Sequence, residues 1–386
     1  MTQLYQWQKD LFDNWANHGY RGICKARTGS GKTLAGIACI DRYTQMFPEL
    51  KLLVIVPSSK VADQWRADLK SYNLNVPVLS YTQAVNQMYR KGLKADCLIL
   101  DECHRISPEK ASSQVMKLEP IHVLGLSATP GGSQSILGQP FYTVDWEEAN
   151  LCPFYVHYVV FTPTKEEREE YERQTMKMQH YALEKTCSKA KSLRPGIDSR
   201  YDFMVRNRRA YSYEMPSRIP NAVKMIVPYA LAGKRTIVFA ERNDTLKEVA
   251  KQLTLRGIKW SVCSQWMDTL RDFEAHKTNV LLLAKKLREG WNDPTLEIEI
   301  LISPTTRELS HTQVVGRVCR IDPNNPNKEA HIMVLLANGT TDLNLITNND
   351  FPPKSVETTS VEKICEIAPG LSDRTKTTGL IKWMEN

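Results

Sequence analysis

Between an apolar segment at Arg21–Ala26 and a helically spaced one at Leu34–Tyr43, the chain reads T-G-S-G-K-T from Thr28 to Thr33. Few short segments constrain a fold so tightly. Glycines at 29 and 31 let the backbone turn until its N–H groups point inward, and a helix beginning near Lys32 adds the positive end of its dipole. The pattern G-x-x-x-x-G-K-[ST] is met with Ala26 in the first glycine position. Gly29, Ser30, Gly31, Lys32 and Thr33 are therefore candidate phosphate-binding residues. Lys32 suits a point charge on the β and γ phosphates, and the Thr33 hydroxyl suits a magnesium ion.

The surrounding rhythm agrees with such a loop. Leu52–Val56, Cys97–Leu100 and Val123–Leu126 are short, almost wholly apolar runs separated by helical patterns, as in parallel strands covered on both faces. The rhythm resumes at Thr236–Ala240, Val280–Ala284 and Ile298–Ile302. Two α/β domains are expected, and 386 residues are enough for each to bury a core. The predicted boundaries are 1–145 for the first domain, 146–220 for a helical basic connector, 221–345 for the second domain and 346–386 for a polar tail. In the connector, Lys165–Glu172 is dense in charge and Lys185–Arg209 is basic, including Lys189, Lys191, Arg194, Arg206, Arg208 and Arg209. That stretch reads as a solvated helical connector or as the lining of a nucleic-acid path.

The run Leu98–Leu100 ends in Asp101 and Glu102, within D-E-C-H. A buried strand ending in Asp delivers a carboxylate to the edge of the sheet where the glycine loop lies. Asp101 is thus a candidate magnesium ligand alongside Thr33, and Glu102 a candidate base for an attacking water. His104, three residues after Asp101, can couple that site to its neighbours. Far downstream, Gln313, Arg317 and Arg320 are spaced to fall on one face of a helix.

In this order the segments resemble a superfamily 2 helicase over most of the chain, with D-E-C-H as a DEAH-like variant. The resemblance implies two tandem RecA-like domains with an ATP cleft between them, and ATP with Mg2+ as cofactors. It implies that Gln8 reads adenine, although Gln8 also reads as an ordinary helix-surface amide. Ser127–Pro130, S-A-T-P, resembles the motif linking hydrolysis to nucleic-acid contact. Pro57 and Ser58, ahead of Gln64 and Trp65, and Ser80 with Thr82 resemble strand-contacting motifs, and equally read as plain strand-to-loop turns. Ile237–Ala240 matches a further motif strand. Leu287–Pro294, with Asn292 where Asp is usual, is most similar to the motors of type I and type III restriction enzymes and to phage helicases. Gln313, Arg317 and Arg320 would reach the γ-phosphate, an arginine stabilising transition-state charge.

The partner so implied is DNA, single-stranded, duplex or forked, with RNA as the alternative. Movement on the strand stands against an ATP-switched clamp that does not travel. The net charge of +8 favours a polyanion only slightly. No apolar stretch approaches the roughly 18 residues of a membrane span, and the N-terminus lacks a signal-peptide pattern. Nine scattered cysteines without C-x-x-C pairs fit a reducing compartment such as the cytoplasm, and the resemblance to restriction and phage motors implies a bacterial or phage-infected cell.

Overall fold

The computed structural model describes residues 4–186, 197–284, 291, 293–303, 316–347 and 351–367. They form two compact units. The first is built from the described residues of Met1–Pro153, Arg288–Pro294 and Arg307–Lys328, and the second from those of Phe154–Leu287, Thr295–Thr306 and Glu329–Asn386.

The first unit is organised on six parallel strands: β1 (Arg21–Ala26), β2 (Leu52–Val56), β3 (Val78–Ser80), β4 (Cys97–Asp101), β5 (His122–Ser127) and β6 (Pro140–Val144). Their order is β3-β2-β4-β5-β1-β6. β2 and β4 are buried along their whole length, which is why they read as unbroken apolar runs rather than alternating ones. Helix α1 (Gln6–Asn17) buries Trp7, Leu11, Phe12 and Trp15, a helical stripe facing α2 (Lys32–Met46) and β6. Cys24 of β1, Cys39 of α2 and Cys97 of β4 are core residues, as their apolar surroundings imply. Helices α3 (Ser59–Ser71) and α4 (Tyr81–Lys91) follow β2 and β3.

The register fixes what meets at the carboxyl edge. Lys25 of β1 pairs with Ser127 of β5, and Asp101 of β4 with Leu126 of β5. The loop after β1, the end of β4 and the end of β5 therefore open on the same side, as parallel strands require.

The second unit has seven parallel strands in the order β13-β7-β12-β11-β8-β10-β9. They are β7 (Phe154–Phe161), β8 (Thr236–Ala240), β9 (Trp260–Cys263), β10 (Val280–Ala284), β11 (Ile298–Leu301), β12 (Ala330–Ala337) and β13 (Val356–Ser360). Val238, Leu282, Ile300 and Met333 form its centre with Ala222, Val223 and Ile226 of the helix Arg218–Leu231.

Two expected boundaries need correction. The span 146–220, read as a helical connector, contains β7, which is paired on both sides by β12 and β13. Its aromatic and β-branched sequence F-Y-V-H-Y-V-V-F is obscured by the charged helix Lys165–Thr186 that follows it. The span 346–386, read as a polar tail, supplies edge strand β13 and the helix Val361–Ile367, whose Val361, Ile364 and Cys365 enter the core. An edge strand such as V-E-T-T-S needs few apolar residues, so polarity disguised it. The terminal Ile381–Trp383 lies outside the described residues.

Candidate active site

β1 ends at Ala26 and the loop closes onto α2 through Gly31, whose φ of 91° only glycine adopts without strain. A side chain at Gly31 would also meet Gln8 Nε2 at 2.6 Å. Gln8 is 1% exposed, and its Nε2 donates to the Gly31 carbonyl at 3.1 Å. The helix-surface reading of Gln8 therefore fails: α1 turns it inward against the loop. Lys32 is buried, with its ammonium donating to the carbonyls of Ala26 and Arg27, both at 3.2 Å. Ser30 Oγ donates to the Arg27 carbonyl at 2.7 Å, tightening the turn. The Arg27 guanidinium lies over the Trp146 ring, 4.5 Å from its centroid.

At the end of β4, Asp101 is held from two sides. The Trp65 indole N–H donates to Oδ2 at 2.9 Å, and the Glu102 amide donates to Oδ1 at 3.0 Å. The Tyr81 hydroxyl donates to the Asp101 carbonyl at 3.1 Å. Burial, and then the neighbouring Glu102 charge, push the Asp101 carboxyl up to about 6. Burial pushes Glu102 the same way, but the Lys32 ammonium and then the His104 imidazole hold it below its ordinary value. Two adjacent carboxyls are thus driven apart by their surroundings, Glu102 ionised and Asp101 reluctant.

Glu102 sits in the left-handed region, with φ 49° and ψ 52°, a conformation a non-glycine side chain adopts at a cost. The turn re-aims its carboxylate toward His104, whose Nδ1 lies 3.1 Å from Glu102 Oε2 and 3.2 Å from Ser127 Oγ. Ser127 Oγ in turn accepts from the Thr129 amide at 3.2 Å. His104 consequently bridges D-E-C-H to S-A-T-P, the coupling its position suggested.

The donor set fits a magnesium–triphosphate. Asp101 and Thr33 are hard oxygen groups, and among the described residues no cluster of three or more His, Cys, Asp or Glu side chains exists to hold a metal alone. Magnesium binds through one or two protein oxygens plus phosphates and water. Thr28 Oγ1 in the loop and Thr129 Oγ1 just past β5 are buried without a hydrogen-bond partner in the protein, as donors kept for phosphate oxygens would be.

Arg317 and Arg320 belong to the first unit. Gly316 packs against Thr28 so closely that a Cβ there would clash with the loop. Residues 316–318 are helical, Cys319 is in a turn, and Arg320 lies past the helix end. The expectation of a shared helix face for Arg317 and Arg320 is corrected on this point, because the helix stops first. Burial, and then Arg317, bring the Arg320 guanidinium down to about 10. Gln313, 285–290 and Asn292 lie outside the described residues, as do Lys189, Lys191 and Arg194.

The candidate strand contacts divide. The Ser58 hydroxyl caps α3, accepting from the Val61 amide at 3.4 Å. Ser80 caps α4 in a reciprocal box with Gln83, its Oγ accepting at 3.3 Å and its amide donating at 2.9 Å. Pro57 is half-buried and Thr82 exposed. Arg206 is exposed, whereas Arg208 lies over the Tyr171 ring and Arg209 donates to the Tyr213 hydroxyl at 2.8 Å. Sequence reasoning did not foresee Trp65 on Asp101 or Trp146 on Arg27. A buried tryptophan needs a partner for its N–H, and that was the one available signal for Trp65.

Residues 1–78 and 75–132 match the family "Type III restriction enzyme, res subunit". The chain is 19% identical to the DNA 3'-5' translocase XPB2 of Sulfurisphaera tokodaii, across 89% of this chain and 83% of that protein. It is 22% identical to putative helicase 22 of a Sulfolobus islandicus filamentous virus, across 82% of this chain and 60% of that one. Its fold matches the Pyrococcus furiosus Hef helicase domain with a TM-score of 0.58 and 13% identity, covering 90% of this chain and 98% of that domain. It also matches S. cerevisiae Dbp5 bound to RNA and ADP BeF3, with a TM-score of 0.59 and 12% identity, covering 95% and 93% of the two chains. The chain is a superfamily 2 helicase. As such it is an ATP-hydrolysing enzyme, related to the type III restriction subunit, and its two parallel-sheet units are RecA-like domains. No described helix of this helicase is long and apolar enough to cross a membrane.

Proposed function

We propose that this helicase couples ATP hydrolysis to movement along DNA. The observation that carries the reading is the His104 bridge, which ties the half-buried Glu102, next to buried Asp101, to Ser127 beside the Lys32 loop. In this reading Gln8 takes the adenine, and Gly29, Ser30, Gly31 and Lys32 hold the phosphates. Thr33 and Asp101 would hold magnesium, which would neutralise phosphate charge. Glu102, kept ionised beside Lys32, accepts the proton of the attacking water. Arg317 and Arg320, with Gln313, meet the charge that develops on the γ-phosphate.

His104 passes the change at Glu102 to Ser127 and Thr129, and so toward the strand-contacting loops. Pro57, Ser58, Ser80 and Thr82 would meet the phosphate backbone through loop amides and exposed side chains, because the hydroxyls of Ser58 and Ser80 already cap helices. Arg206 is the member of the arginine trio best placed to meet the strand, with Arg208 and Arg209 shaping the helix behind it. Similarity to a DNA translocase in sequence and to a type III restriction family favours DNA over RNA.

The test is steady-state ATPase at fixed salt with no nucleic acid, single-stranded, duplex and forked DNA, and RNA. Stimulation by a DNA form is expected, lost in Glu102→Gln while ATP and DNA binding persist. Stimulation by RNA alone would reverse the substrate assignment, and a Glu102→Gln enzyme with normal turnover would remove the base from Glu102.

A further inference from the structure

Lys328 is 2% exposed and lies in none of the recognised motifs. Its ammonium has three protons and donates three hydrogen bonds: to the carbonyls of Pro294 at 2.7 Å, Val318 at 2.8 Å and Arg320 at 2.7 Å. Burying a lysine forfeits its hydration unless the charge is well satisfied, and burial lowers the affinity of this amine for its proton. A core needing only volume would take a leucine or methionine there. Something specific is being held.

The three acceptors identify it. The helix at 316–318 ends just before Arg320, and the last carbonyls of a helix have no partner within it. Lys328 takes those of Val318 and Arg320, while the Cys152 amide donates to the one between, Cys319, at 2.9 Å. The backbone from 318 to 320 is thus fixed at three successive carbonyls. The third Lys328 bond ties it to Pro294, at the end of the Trp291–Pro294 segment. Lys328 is itself delivered by a closed turn: Asn324 N–H donates to Asp322 Oδ1 at 2.9 Å, and Lys328 N–H to the Asn325 carbonyl at 3.1 Å.

We infer that Lys328 is a positioning residue for Arg320, locking the backbone that aims its guanidinium and joining that backbone to the turn at Pro294. The inference rests on the proposed role of Arg320. A cation at the carbonyl end of this helix does what no neutral side chain can: it bonds three carbonyls from one atom.

The experiment uses the full chain with Lys328→Met, Lys328→Arg, Arg320→Ala and the Arg320→Ala/Lys328→Met double variant. DNA-stimulated kcat, KM for ATP, binding of a fluorescent ADP and thermal melting are measured for each. Lys328→Met is expected to lower kcat on the order of ten- to a hundredfold, as roughly ångström misplacement of a catalytic group does. Nucleotide affinity should stay within about threefold. Lys328→Arg, which keeps the charge and donors, should recover part of the loss. On the Arg320→Ala background Lys328→Met should add nothing, because its effect passes through Arg320. An equal further loss on that background overturns the inference while leaving the reading of Arg320 intact. So does loss of kcat, nucleotide binding and melting temperature together in both Lys328 variants, which marks a purely structural lysine. An unchanged rate in Arg320→Ala removes the role of Arg320 and the inference with it.

Discussion

At the scale of single residues, the site is governed by how far its surroundings separate two adjacent carboxyls. Asp101 is buried beside the Glu102 charge and holds its proton up to about 6, while Lys32 and His104 keep Glu102 ionised. Because the folded Asp101 value lies above its unfolded one, ionising it costs stability as pH rises from the ordinary carboxylate range through about 6. In the proposed role of Asp101 as a magnesium ligand, nucleotide binding needs the ionised form, so kcat/KM for ATP should fall on the acid side of about 6. The Trp65 N–H, bonded to Asp101 Oδ2, favours that ionised form. Trp65→Phe removes the donor and should move the acid limb of kcat/KM to higher pH with little change on the alkaline side. A pH–rate profile reads this directly, and an unmoved acid limb would assign it to another group.

At the scale of elements, the strand-to-helix turns of the first sheet hold two classes of residue that look alike in sequence. Ser58 and Ser80 each follow an apolar strand and precede a helix, the place where a hydroxyl either caps the helix or meets a phosphate. The reciprocal box at Ser80 and Gln83 makes the capping role concrete. Ser80→Ala should therefore destabilise the protein by about 1 kcal/mol in urea unfolding, with DNA affinity little changed. A loss of affinity at full stability would return the hydroxyl to the nucleic acid. The helix pair Lys165–Thr186 and Ile197–Glu214 tells a similar story. Its described part carries balanced charge, with Glu166, Glu169 and Glu172 against Arg168, Arg173 and Lys177, and two of its candidate arginines lean on tyrosines. Charge density along a sequence counts residues; exposure decides which of them a polyanion can meet.

At the scale of the whole molecule, the chain is two parallel-sheet units, and a travelling motor needs both to change their hold on one strand during an ATP cycle. Displacement of a protein roadblock, such as streptavidin on biotinylated duplex, should require ATP and be lost in Lys32→Ala. ATP-dependent binding without displacement would favour the clamp. The glycine loop, the acid pair, the S-A-T-P run and strands β2, β4, β5, β8, β10 and β11 were legible in the sequence, because each is a local pattern: a turn needing glycine, an apolar run ending in a carboxylate, a period set by burial on two faces. The hidden parts were those made by distance. β7 took its place by pairing with β12 on one side and β13 on the other, and β13 by pairing with β7 alone, Val356 lying opposite Val156; the charged or polar sequence beside each strand masked it. Likewise Trp65 reaches Asp101 across 36 positions, and His104 reaches Ser127 across 23. Sequence by itself determined which chemical groups this helicase has and where its backbone must turn. Tertiary structure alone decided which of those groups are buried together, and burial beside a charge is what sets a carboxyl's proton affinity and an arginine's aim.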